Sequence, residues 1–267
     1  MKQLFFITAC CLIFSSCTEN TRQWQLEETI NLGDITPIGF TFQGEHIWIA
    51  DGDHNQVVKV NTQGKIQETI SDFERPMHLD SKGETIFIPE YGADQITILS
   101  NGQRSALAIS DSLDAPAGVA IFMEEMAIAD FYNHRILYFD GQNWTSFGKE
   151  GKAEGELHYP TDVQILADKI VVADAYNNRV QIFDKSGNSI QIIGEAEKMN
   201  AATGIFATEE EVFVTDFEND RVLMYNAQGE LQQVITEGID KPTEILIEEG
   251  VLYISNYKGK NILKLER

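Results

Sequence analysis

The chain has 267 residues, 42 acidic and 20 basic, with a formal net charge of -22. That excess repels a phosphate backbone, so a nucleic-acid partner is set aside, while cations and basic partners are favoured. The three cysteines, Cys10, Cys11 and Cys17, all lie at the N-terminal end, which excludes a disulfide framework in the body of the chain.

Met1, Lys2 and Gln3 make a short basic start, and Leu4 to Phe14 is an apolar run of eleven residues. The run is too short to span a bilayer and fits the core of a signal peptide. Phe14, Ser15, Ser16 and Cys17 resemble the lipobox of bacterial lipoproteins, with Phe14 where leucine is usual. The resemblance implies cleavage before Cys17, acylation of that cysteine, and a place in the bacterial cell envelope on the periplasmic or cell-surface side. An upstream site ending at Cys10 would leave a much shorter apolar core, and an ordinary secretory signal is the remaining alternative. The expected division is a signal peptide at 1–16, a lipidated tether at 17–23 and one folded domain at 24–267, with several acyl chains giving firm anchorage.

Beyond the leader, six tracts open with proline or a stand-in and reach an acid or amide fourteen residues later. The pairs are Pro37 and Asp51, Pro76 and Glu90, Pro116 and Asp130, Pro160 and Asp174, Ala202 and Asp216, and Pro242 and Asn256. Successive acid or amide positions lie 39, 40, 44, 42 and 40 residues apart, a period of propellers and other repeat arrays.

Inside each unit, apolar residues recur with period two. Ile47 and Ile49, Ile86 and Ile88, Val212 and Val214 stand four and two residues before the acid, which is strand patterning. Another strand is expected from Val57, Ile96, Ile136, Val180, Val222 and Ile262, and five of these six are followed by a glycine-bearing turn. An inner strand follows each proline position, with Phe40, Leu79, Val119, Val163, Ile205 and Ile245 as buried candidates. A fourth follows the turn, as in Ile66 to Ile70 and Leu231 to Ile235. The expected fold is therefore all-β: a six-bladed β-propeller of four-stranded antiparallel blades.

The ends test closure. The sixth unit stops at Arg267 after its third strand, while Trp24 to Ile30 resembles a fourth-strand segment with no unit of its own. Pairing the N-terminal strand with the last blade closes the ring and removes exposed edges.

Ala129 to Ile136, Ala173 to Val180 and Asp216 to Val222 carry a pattern that resembles the NHL-repeat six-bladed propellers. The glycine-spaced linker from Phe147 to Pro160 adds to the likeness. Units one, two and six are eroded, with Gln56, Gln95 and Asn261 at the arginine position. In this pattern Arg135, Arg179 and Arg221 are expected to hold neighbouring loops. Asp51, Asp130, Asp174 and Asp216 are expected to cap loop amides. His134 belongs to the repeat and reads as structural.

One column carries chemistry. Two residues past each proline position stand Gly39, His78, Gly118, Asp162, Gly204 and Glu244. Alternate blades therefore present His78, Asp162 and Glu244 to the central channel, a plausible set for a divalent cation: calcium, zinc, magnesium or manganese. In the resembling amidating lyases three histidines from alternate blades hold the metal, and here only one of the three is histidine. A water-filled channel with polar walls is the plainer account of the same column. Tyr91, Tyr132, Tyr176 and Tyr257 follow the acid positions and are expected to rim the channel mouth. The expected function is a membrane-anchored extracytoplasmic propeller that recognises a peptide, glycan or protein at that face. The alternative is a metal-dependent hydrolase or lyase.

Overall fold

The computed structural model describes residues 23–267 apart from Ser110. The expected signal peptide, Cys17 and the expected tether as far as residue 22 lie outside the described residues.

Six antiparallel sheets of four strands form the blades of a propeller. The first blade runs Gly39–Gln43, His46–Asp51, Gln56–Asn61, Ile66–Ile70, and its four strands pair in chain order. The next four blades repeat that order. Their innermost strands are Asp80–Lys82, Pro116–Phe122, Pro160–Ile165 and Ala202–Ala207. The sixth takes Pro242–Glu248, Val251–Asn256 and Asn261–Glu266 from the C-terminus and completes itself with Gln25–Asn31. Innermost strands of successive blades touch round the whole ring, the sixth against the first included.

Alternation along the strands explains where the core lies. Ile47, Ile49, Val212 and Val214 are buried, and each apolar cluster draws on the facing sides of two successive blades. Val171, Ile182, Val214 and Tyr225, for example, form one layer between blades four and five. Each such side chain removed from water contributes about 1.5–3 kcal/mol, so stability is distributed between blades rather than held at one centre.

Closure follows the register Thr29 to Leu263 and Ile30 to Ile262. Trp24 is buried edge-on against Phe213, with ring centroids 6.3 Å apart. Its backbone N–H donates to Gln233 Oε1 at 2.9 Å, and Gln233 Nε2 donates to its carbonyl at 2.8 Å, tying the closing segment to blade five. The closing strand lies one residue later than the expected Trp24 to Ile30, and the third strands begin one residue earlier than expected, at Gln56 or Arg135 for instance.

The repeat residues knit loops to strands. Asp130, Asp174 and Asp216 accept the backbone N–H of Asp114, His158 and Asn200 at 2.7–2.8 Å. Each also accepts from the Nε of its own arginine, Arg135, Arg179 or Arg221, at 2.6–2.8 Å. The same guanidinium groups donate to the carbonyls of Ser112, Ala153 and Glu197 in the preceding loop. Asp51 differs: it sits 2.8 Å from His54 Nδ1 and accepts from Gln56 Nε2.

Candidate site in the central channel

The alternate-blade column converges. One ligand atom each from His78, Asp162 and Glu244 lies within 4.8 Å of the others, and all three side chains are buried. Glycine on the intervening blades is what lets the inner strands come so close. A Cβ on Gly39 would stand 2.6 Å from His78 Cα, one on Gly118 3.0 Å from Asp162 Cα, and one on Gly204 3.0 Å from Glu244 Cα. In blades three to six the strand register shifts between the proline position and the residues just past it, a bulge that re-aims the side chains there.

Each functional group is held. Asp162 accepts the N–H of Val163 and, across the blade boundary, of Ile205, both at 2.8 Å. Glu244 Oε1 accepts the N–H of Ile245 at 2.9 Å, and its Oε2 lies 2.8 Å from His78 Nδ1. His78 Nε2 is buried with no hydrogen-bond partner. In blade two the backbone of His78 turns to its neighbour, donating to the Ala117 carbonyl at 3.1 Å and accepting from the Val119 N–H at 3.2 Å. That exchange is why the innermost strand of blade two is only Asp80–Lys82.

Burial sets the protonation. It pushes Asp162 up to about 7, helped by the charge of Glu244, and lifts Glu244 well above the usual carboxylate range. Burial also lowers His78, although Asp162 opposes this. The His78 to Glu244 contact is therefore a hydrogen bond within a site poor in positive charge rather than an isolated ion pair.

Asp80, which sequence reasoning missed, is raised by burial to about 6 and accepts the N–H of Ile121 at 2.7 Å. It opens the Asp80–Lys82 strand two residues past His78, so the period-two rule was the signal that pointed to it.

A cavity of about 300 Å3 reaches Asp162 and Glu244. Its walls are Phe40 to Phe42, Leu79 to Ser81, Asp162 to Gln164 and Glu244 to Glu248, together with residues of blades three and five. These stretches run forward along each inner strand, away from the loops after the acid positions and toward the hairpins that join first and second strands. The open approach is on the hairpin face, opposite the mouth expected from the sequence.

The loop face carries aromatics. Tyr91 packs with Tyr132 at 5.7 Å, and Tyr176 joins them through Tyr159 and Phe131, each pair of rings within 6.2 Å. Tyr132 and Tyr176 are 49% and 59% exposed. Tyr257 stands apart, beside Phe217, with its hydroxyl donating to Asp53 at 2.8 Å. Phe131 and Tyr159 were not among the expected rim residues, although each directly adjoins a repeat position.

No protein-family profile and no curated protein matches the chain. Solved structures do. A streptogramin B lyase has a TM-score of 0.68 at 14% identity, over 91% of this chain and 97% of that one. A catalytically inactive virginiamycin B lyase from Staphylococcus aureus with quinupristin has 0.65 at 14%, over 92% and 100%. A computationally designed protein has 0.55 at 11%, over 85% and 70%. At these identities the likeness is one of fold, and that fold, a six-bladed propeller, is the class this chain belongs to.

Proposed function

We propose that the chain is an NHL-type propeller, lipid-anchored through Cys17 in the bacterial cell envelope, that binds a peptide, glycan or protein on its loop face. The supporting observation is the continuous cluster of Tyr91, Phe131, Tyr132, Tyr159 and Tyr176, contributed by blades two, three and four and the loop between the last two. Exposed tyrosines on rigid blades supply large contact area at little entropy cost, with a hydroxyl at the wet end.

Peptide and glycan arrays probed with the full chain test it. Retention on a defined class should disappear in the Tyr132→Ala, Tyr176→Ala double variant while its unfolding curve stays that of the parent; retention unchanged in that variant rejects the loop face as the site. Labelling with radioactive fatty acid that persists in Cys17→Ala rejects the anchor.

A second reading, a metal-dependent hydrolase or lyase, is favoured by one observation, the meeting of His78, Asp162 and Glu244 from alternate blades. A cation held there would polarise a carbonyl or activate water.

A further inference from the structure

The charge balance of the channel is one-sided. Asp80, Asp162, Glu244 and Glu248 line the cavity, and among the described residues no lysine, arginine or histidine does. Two buried carboxylates held within 4.8 Å of each other must either keep protons or receive a positive partner. A second observation is the 2.8 Å contact between His78 Nδ1 and Glu244 Oε2, a spacing at which both atoms can bind one cation once it displaces the proton between them, the ring then keeping its proton on the buried Nε2.

We infer that one divalent cation binds between His78, Asp162 and Glu244 and enters from the hairpin face through the acid-lined cavity. The inference stands apart from the loop-face binding reading and requires no turnover. One imidazole and two carboxylates form a mixed set that suits Mn2+ or Zn2+ better than Ca2+ or Mg2+, which favour oxygen-only surroundings. The ion joins blades two, four and six at the axis, where Asp162 otherwise holds only blade five. Because it takes the place of protons on the carboxylates, binding strengthens as pH rises.

Calorimetric titration of the full-length, chelator-stripped chain in detergent with the chlorides of Mn2+, Zn2+, Ca2+ and Mg2+, each alone, tests this. Expected is one equivalent per chain. Affinity should fall by at least about tenfold, the loss that even an outer-shell change brings, in each of His78→Ala, Asp162→Asn and Glu244→Gln. Glu248→Gln, which changes only the outer cavity, should keep the parental affinity. No saturable binding to the folded parent, or affinity unchanged in the three variants, overturns the assignment. Paramagnetic broadening by Mn2+ of the His78 ring signals in the unsubstituted chain reads the site even if a variant fails to fold. Broadening that spares those signals overturns it equally. Loss of the array ligand with metal binding intact, or the reverse, separates this inference from the loop-face reading.

Discussion

The Asp162 carboxylate accepts the backbone N–H of Ile205 at 2.8 Å, so a side chain of blade four holds the inner strand of blade five. The same group is one of the three candidate cation ligands, and its two tasks are tied through its protonation.

In the unfolded chain carboxylates titrate near about 4, whereas in the fold burial raises Asp162 to about 7 and Asp80 to about 6. Between those values the folded form binds more protons than the unfolded form, so their contribution to stability is present at low pH and lost as pH rises through the folded values. Without divalent ions, Asp162→Asn should therefore gain relative to the parent between about pH 4 and 7, by an amount on the order of a few kcal/mol. Urea midpoints at several pH values measure it. A parent-minus-variant difference that is flat with pH contradicts the buried-acid account.

Gly204→Ala should destabilise by about 1–3 kcal/mol or more, since its Cβ would lie 2.2 Å from the Thr243 carbonyl oxygen, a backbone atom that cannot step aside. Chemical denaturation measures the loss. An alanine tolerated without cost would mean that the inner strands pack less closely than described.

Asp174→Ala should cost about 3–5 kcal/mol, because the carboxylate is fully buried and holds Arg179, Gln181 and the His158 N–H together. Lys82→Ala, which removes an exposed pair with Glu124, should cost about 1 kcal/mol at most. Comparing the two melting curves separates the repeat acids from ordinary surface charge.

Trp24→Ala should lose about 3–5 kcal/mol through the cavity left beside Phe213. Deleting 23–31 leaves the Asn261–Glu266 edge unpaired, and light scattering should then report association. A deletion variant that stays monomeric with unchanged stability would contradict closure as the edge-protecting device.

Blade number and closure were readable because strand patterning has period two and the acid positions recur, as at Asp130 and Asp174, so local and global signals agree. The convergence of His78, Asp162 and Glu244 was readable because one column of a ring repeat must face the axis. The approach to them was not. Which end of a channel stays open depends on the bulk of residues further along each inner strand, such as Phe42 and Leu246, and on neighbouring strands far apart in sequence. Phe131 stands in the register of Tyr91 and Tyr257 and was legible there, whereas Tyr159 lies in the linker before Pro160, outside the repeat, and its contact with Phe131 depends on how that linker folds back.

Ring closure has a consequence for synthesis. Among the described residues the strand Gln25–Asn31 is made before any other strand, yet its partner is Asn261–Glu266, the last of them. The last blade therefore cannot be completed until its other three strands, as far as Glu266, have been made, and until then Gln25–Asn31 waits with its backbone unpaired. Such long-range pairing slows the final step and makes that waiting strand the part most in need of protection until its partner arrives.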